Sequence, residues 1–171
     1  FNDDNRVGLS FSNYESRYGI PGHGHGHGAA AIDLERQRYD AELELVEVSD
    51  LVEALRARLA YTDYAHSEGE TVYEREGWEL RTEVAHTPWW GIDEGVVGVQ
   101  ISDVDFSALG EESFTPPSAT KTQALFISEH IHGDVLNYEF GGRIERTDIA
   151  EQANNRNYDE LATSFAAGVT W

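Results

Sequence analysis

Apolar and polar residues alternate with a period of two along most of this chain, and no other feature constrains its fold as strongly. In the stretch 134–146, the side chains of Leu136, Tyr138, Phe140 and Ile144 fall on one side and mostly charged or polar ones on the other. This period is that of a β-strand with one apolar and one polar face. The alternation recurs at 7–14, 31–46, 55–64, 71–86, 97–102, 119–131 and 160–171. It predicts about eight strands, each close to the length of roughly 9–11 residues with which a tilted strand crosses a bilayer.

The connecting segments indicate how these strands are joined. Segments 15–30, 65–76, 107–118 and 148–157 are long and rich in Gly, Pro, Glu and Asn, whereas 47–51, 87–94 and 132–134 are short. Outer-membrane barrels alternate in this way, with short turns at one end and long loops at the other. The aromatic residues Trp89, Trp90 and Trp171 then fall at the short-turn end, where an aromatic girdle would lie. The expected fold is all-β, an antiparallel up-and-down meander of about eight strands that forms part of a transmembrane β-barrel.

The alternation also assigns side chains to the two faces of this meander. The predicted lumenal side carries charges in mid-strand, which a dry protein core would not tolerate unpaired but a wet lumen would. From the parity of the hairpin around 67–69, we expect Arg58 to lie opposite Glu79. The lipid side is predicted to carry Leu55, Ala57, Leu59, Tyr61, Tyr138, Phe140, Ile144, Phe165 and Val169, and the lumen Arg56, Arg58, Glu79, Arg81, Glu139 and Arg143.

The charge balance excludes several classes of partner. The net charge is −20, from 12 basic and 32 acidic residues. Nucleic acid is excluded as a partner because phosphate binding needs a clustered positive footprint. A negative vestibule would instead concentrate cations, which favours capture of a metal ion. The chain has no cysteine, so thiolate metal sites and cysteine nucleophiles are excluded as well.

Six blocks of the sequence resemble the barrel of TonB-dependent outer-membrane receptors, in particular those with a His-rich external loop associated with zinc uptake. The blocks are NYESRYGIPGHGHGHG (13–28), IDLERQRYDAELEL (32–45), LRARLAYTDYAHSEG (55–69), GWELRTEVAHTP (77–88), GVVGVQISDVDFSALGEESFTPPSATKTQALFISE (95–129) and YEFGGRIERTDI (138–149). The resemblance implies that residues 1–171 are a segment of a receptor barrel in the bacterial outer membrane, without the plug domain and the remaining strands. The implied partners are outer-membrane lipid, a metal ion or metal chelate, and the TonB energy-coupling system acting through the missing plug.

A Gly/His tract is the main candidate site. His23, His25 and His27 form H-G-H-G-H, and imidazole is a ligand that suits Zn and related divalent metals. The intervening glycines let the backbone fold around an ion. His66 and nearby carboxylates at 33, 35, 68 and 70 could complete the site. Zn or another divalent metal is thus possible cargo, and no resident cofactor is expected; the alternative is that the tract is only a solvated linker.

The remaining histidines predict no further site. His130 and His132 suit a turn or rim, and His86 an interface position beside Pro88. No catalytic triad or phosphate-binding loop is present, so we expect no enzyme activity. Two other interpretations stay open. The chain could be a complete eight-stranded outer-membrane barrel, in which the first strand pairs with the last, or a soluble acidic β-protein with a metal site.

Overall fold

The computed structural model describes residues 4–19, 31–110, 113, 115–153 and 155–171. Eight strands follow one another along this part of the chain, as the alternation predicts. They are β1 (Arg6–Gly19), β2 (Ala31–Val46), β3 (Val52–Glu68), β4 (Thr71–His86), β5 (Glu94–Leu109), β6 (Ser118–His132), β7 (Asn137–Glu151) and β8 (Arg156–Thr170). Among these residues, no helix is long and apolar enough to cross a membrane.

The strands form one antiparallel sheet in which each strand pairs with its neighbour in sequence. The prediction of an all-β antiparallel meander is confirmed. β1 and β8 are the two edges of this sheet and make no ladder with each other, so the described residues do not close into a barrel of their own. A complete eight-stranded barrel requires the first strand to pair with the last. The described residues do not show this pairing.

The two faces of the sheet carry the side chains that the alternation assigned to them. We call the face that carries Leu59 the outer face and the face that carries Arg58 the inner face. Leu59 is paired with Leu80, and Leu80 with Ile101, so the outer face continues as an apolar surface from strand to strand. All the residues predicted for the lipid side share this outer face, and all those predicted for the lumen share the inner face.

The strands are longer than predicted, at 14–17 residues, because they continue through segments that looked like loops. Between β3 and β4 only Gly69 and Glu70 remain as a turn, so the long loop expected at 65–76 is wrong. The loop expected at 148–157 is also shorter than predicted and spans only 152–155. In these added strand segments, polar and charged residues occupy both faces. Their composition suggested a loop, but the backbone continues its β-sheet hydrogen bonding there, and the strands become longer than a bilayer requires.

The register of the β3–β4 hairpin differs from the predicted one by two residues. Arg58 lies opposite Arg81, and Ala60 lies opposite Glu79, so the expected Arg58–Glu79 pair does not form. The reason is the turn: Gly69 has φ of 59°, which a two-residue hairpin needs at its first turn position. A shift of two residues keeps every side chain on its predicted face, which explains why the faces were right and the pair was wrong.

The outer face has an apolar band with an aromatic border at each end. Phe11, Tyr39, Tyr61 and Trp78 form one cross-strand row, with ring centroids 4.8 Å apart between the first two. Trp89, Trp90 and Trp171 lie at the opposite end of the sheet, as predicted. Along β4 the band from Trp78 to His86 measures roughly 26 Å at about 3.3 Å per residue. With the tilt of about 35–45° of barrel strands, this length corresponds to a height of roughly 20 Å, slightly less than the apolar band of about 25 Å of an outer-membrane barrel.

The sheet has almost no core of its own. In the described residues the buried apolar side chains are Ile32, Ala54, Ala108 and Ala124, while Leu9 is 82% exposed and Phe165 is 86% exposed. A protein in water would cover such a surface, because exposed apolar area of this extent is unfavourable. The soluble alternative does not fit this arrangement, whereas a wall with lipid on one side does.

Candidate functional site

The predicted metal-binding histidines His23, His25 and His27 lie outside the residues that the structure describes. The two ends of their connection are nevertheless placed. Gly19 closes β1 opposite Ala31, which opens β2, and this pair lies at the end of the sheet opposite to Trp89. We call this the loop end, and the end with the connections 47–51, 87–93 and 133–136 the turn end. The tract is thus tethered at the loop end of the sheet.

His66, the fourth predicted ligand, lies in β3 and not in a loop. Its ring is on the inner face, stacked on Tyr73 at 4.5 Å with an angle of 4° between the planes, and 5.4 Å from Tyr64. The Nδ1 atom is buried and has no hydrogen-bond partner in the described residues. A buried nitrogen without a partner costs free energy, because its hydration is lost and no hydrogen bond replaces it. His66 lies opposite Leu34, close to the end of β2 from which the Gly/His tract departs.

The carboxylates proposed to complete the metal site are divided between the faces. Asp33 and Glu35 flank Leu34 and are on the outer face, where Asp33 pairs with Arg17 at 3.3 Å. Of the strand carboxylates named, only Glu68 shares the inner face with His66. Within the described parts of the chain, no group of three or more His, Asp or Glu is arranged to hold a metal ion. A complete metal site at this end would therefore need ligands from outside the described residues.

The inner face near the middle of the sheet is a wall of paired charges. Glu44 receives hydrogen bonds from Arg6 and Arg56, each at 2.7 Å. Arg58 pairs with Glu42 at 3.1 Å, so it finds an acid in β2 and not in β4 as predicted. Such pairs are wet and contribute about 0–1 kcal/mol each to stability. These pairs make the middle of the inner face polar.

Closer to the loop end, the inner face carries a row of alternating aromatic and cationic residues. One register row runs across β1 to β5, and we call it the mouth row. The Arg36 guanidinium lies over the Tyr14 ring, 5.8 Å from its centroid. Cross-strand register, which the sequence does not display, brings these residues together. The mouth row consists of Tyr14, Arg36, Tyr64, Arg75 and Phe106.

From β1 to β5 the described wall does not form the negative vestibule expected from the net charge, although Glu151 of β7 lies on the inner face in the same register row. In these five strands, the acidic residues at the height of the mouth row lie on the outer face, so the expectation is not met there. The reason is that a strand sends successive side chains to opposite faces, and net charge carries no information about which face receives them. These outer residues are Glu15, Glu35, Asp63, Glu74, Glu76 and Asp105.

The other histidines of the described residues, His86, His130 and His132, lie at the turn end, away from His66. His132 has Nδ1 3.7 Å from Asp93 and Nε2 3.9 Å from Glu94, both too long for hydrogen bonds. His130 lies 3.8 Å from Glu139 on the inner face. Their position at the rim agrees with the role that the sequence predicted for them.

Comparison with known proteins identifies similar folds. No protein-family model and no curated protein matches this sequence. Among solved structures, "Copper transporter OprC" matches with a TM-score of 0.71 at 12% identity, over 98% of this chain and 32% of that one. The alcaligin outer-membrane receptor FauA from Bordetella pertussis matches with a TM-score of 0.64 at 16% identity, over 98% of this chain and 30% of that one. The chain thus spans about a third of the length of either structure. At these identities the likeness shows the fold alone: the meander has the fold of a section of an outer-membrane receptor barrel.

Proposed function

We propose that this chain is a section of the barrel wall of a TonB-dependent receptor in the bacterial outer membrane. The receptor would take up a metal ion or metal chelate, with zinc as the candidate ion, and the Gly/His tract would capture the metal at the external end. This is a transport function and involves no catalysis by these residues. Energy would come from the TonB system through a plug domain that is not part of residues 1–171.

The outer face supports the location in a membrane. Its apolar band lies between the aromatic row at Tyr61 and the tryptophans of the turn end, and its large side chains are exposed. Lipid is the environment that makes such a surface favourable, and aromatic residues mark its two boundaries. The printed names of both similar structures, a copper transporter and an outer-membrane receptor, agree with transport of a metal or a chelate.

The open edges of the sheet support the interpretation as a section of a larger wall, and this observation carries the proposal. β1 and β8 present unpaired backbone groups along 14 and 15 residues. In a bilayer each unpaired N–H or C=O costs several kcal/mol, so a spanning sheet must pair both of its edges. Further strands on both sides would satisfy them.

The histidines support metal capture at the loop end. The Gly/His tract is tethered there by the pair Gly19–Ala31. His66, whose Nδ1 has no partner in the described residues, lies on the inner face opposite Leu34, three residues after Ala31 in β2. Zinc accepts four ligands in a tetrahedral arrangement, and three tract histidines with His66 would provide four nitrogens. Glycines between the histidines give the tract the freedom to adopt this arrangement.

Cysteine cross-linking tests the wall, because the chain has no native cysteine. In the full-length receptor, Leu9→Cys with Ala41→Cys should form a disulfide, since these residues are paired in β1 and β2. Leu9→Cys combined in turn with Cys at Leu161, Phe165 or Val169 should stay unlinked. A disulfide between β1 and any of these β8 positions would show a closed eight-stranded barrel and overturn the proposal.

Calorimetry with Zn²⁺ tests capture. The triple variant His23→Ala, His25→Ala, His27→Ala of the full-length receptor should lose tight zinc binding and keep its folded barrel. The control is the double variant His130→Ala, His132→Ala, which removes imidazoles from the turn end and should leave zinc binding unchanged. Equal zinc affinity of the wild type and the triple variant would mean that the tract is a linker, and capture would be abandoned.

A further inference from the structure

One ion pair lies on the outer face, which is assigned to lipid, and it is largely enclosed. His86 in β4 and Glu129 in β6 are both in register with Gly95 of β5, which lies between them. Their side chains are only 17% and 14% exposed, and no other ion pair of the described residues has both side chains so well covered. The pairs of the inner face, such as Arg58 with Glu42, are mostly open to water. A positive and a negative group are therefore held side by side on the lipid-facing surface.

This ion pair has apolar neighbours along the outer face. In β6, Ile127 precedes Glu129 on this face and Ile131 follows it, and in β4 Val84 precedes His86. Charged groups in contact with hydrocarbon are costly, and where they occur they mark functional sites. The tryptophans of the turn end follow β4 directly, so the pair lies beside the boundary between membrane and water. It is thus within reach of lipid headgroups.

An apolar groove begins next to the ion pair on the same face. It has a volume of about 380 Å³, and its surface is almost entirely apolar. Gly142 leaves the groove open, because it has no side chain between its large neighbours Ile127 and Phe165. Val97 at the border of the groove is two residues from Gly95, so the groove starts roughly 7 Å from the ion pair. On the outer face the groove is lined by Val97, Leu125, Ile127, Gly142, Ile144 and Phe165.

We propose that the ion pair and the groove together bind one phospholipid with an ammonium-bearing headgroup, in the leaflet at the turn end. The carboxylate of Glu129 would bind the ammonium group, the ring of His86 the phosphate, and the groove at Gly142 an acyl chain. Such a headgroup carries both charges close together, as the site does, and hydrogen bonds between charged groups are the strong ones. This inference rests on the proposed position of the wall in a membrane, and it adds a specific lipid partner.

The charges of the site favour this class of lipid over others. An anionic headgroup would be attracted by His86 but repelled by Glu129, so the pair would offer it little net attraction. A headgroup with both charges gives each member of the pair a second partner of opposite sign. An acyl chain in the groove would gain contacts with carbon on several sides, whereas a chain on a flat part of the wall has them on one side only.

Lipid binding by the full-length receptor in detergent tests this site. The probes are phosphatidylethanolamine and phosphatidylglycerol with identical acyl chains, and native mass spectrometry measures the affinity for the first bound molecule of each. The wild type should bind the ethanolamine lipid about tenfold more tightly. Glu129→Gln should remove this preference, because the ammonium group loses its charged partner. Gly142→Leu should weaken binding of both lipids by about tenfold, because its side chain fills the groove that would cover the acyl chain.

Each variant has a matched control. Glu139→Gln makes the same change in charge on the inner face of the adjacent strand, and Ala57→Leu adds an apolar side chain to the outer face of β3, outside the groove. Both controls should bind the two lipids as the wild type does.

Three results would overturn the proposal. The first is a wild type that binds neither lipid or binds both equally well, and the second is an equal change in a variant and its control. The third is a dimer that dissociates in Gly142→Leu, since the groove would then hold a second copy of the chain. The disulfide between Leu9→Cys and Ala41→Cys and the zinc calorimetry do not depend on this lipid. The wall and metal capture can therefore stand where the lipid site fails.

Discussion

The imidazole of His86 in β4 and the carboxylate of Glu129 in β6 meet across the intervening strand, with Nε2 and Oε2 2.8 Å apart. They meet directly over Gly95 of β5, where an added Cβ would lie 1.8 Å from Oε2. The second ring nitrogen, Nδ1, lies 2.7 Å from the carbonyl oxygen of Thr87. Since both neighbours are acceptors, this arrangement favours the doubly protonated, positively charged ring. Gly95 thus allows an ion pair between β4 and β6 that crosses β5 at the turn end.

Substitution of Gly95 by Ala should break the His86–Glu129 ion pair. The new methyl group would displace the ends of both side chains, and the loss of a partly buried charged hydrogen bond should lower the free energy of unfolding by about 1–3 kcal/mol. Gly141→Ala is the matched control, because its Cβ would meet Ala166 at an ordinary 3.6 Å. Urea unfolding of the detergent-solubilised protein measures both. Equal stability of the two variants would contradict the role of Gly95.

The assignment of faces gives a prediction about neighbouring residues in β3. Leu59 is on the outer face, so Leu59→Arg would place a charge in lipid and should cost about 2–4 kcal/mol. Ala60 is on the inner face between Asp40 and Glu79, so the same arginine there would find acids on both sides and should cost little. Folding yield into lipid vesicles measures the difference. If both variants fold equally well, the outer face is not in contact with lipid.

The sequence predicted the strands and their faces because alternation is a local property of each segment. Tyr138 and Phe140 reveal their common face without any knowledge of neighbouring strands. The turn between β3 and β4 was harder, since the polar residues of 65–76 are typical of a loop. The strand continues there because Gly69 alone supplies the positive φ of the turn, and the polar side chains alternate between two solvated faces.

The mouth row could not be predicted from local patterns. Tyr14, Arg36, Tyr64 and Arg75 are far apart in sequence, and they become neighbours only through the registers of three hairpins. The error of two residues made in the β3–β4 register for Arg58 would separate Arg75 from Tyr64. Conversely, the histidines of the Gly/His tract are evident in the sequence, because three identical ligands lie within five residues.

Phe126 offers a test of packing on the inner face. Its ring covers Gly98, where an added Cβ would lie 2.2 Å from the ring, and the Arg81 guanidinium lies 4.2 Å from the ring centroid. Phe126→Leu should remove the cation–π contact and uncover the backbone, at a cost of about 1–2 kcal/mol. Phe165→Leu, on the exposed outer face, is the control and should be nearly neutral. A larger effect of the control in urea unfolding would contradict this account.

His66 gives the prediction that connects the structure to metal capture. Its Nδ1 is buried without a partner in the described residues, so a metal at the loop end would satisfy it. His66→Ala should therefore weaken zinc binding of the full-length receptor by about tenfold or more. Loss of the stack on Tyr73 should lower the free energy of unfolding by only about 0.5–1.5 kcal/mol, so the barrel should stay folded. Zinc affinity of the wild type should also fall as the pH decreases through about 6.5, because protons compete with the metal for imidazole nitrogens. Calorimetry at pH 7.5 and 5.5 measures both effects, with His130→Ala as the control from the turn end. If His66→Ala binds zinc as tightly as His130→Ala does, His66 is not a ligand, and its buried nitrogen needs another explanation.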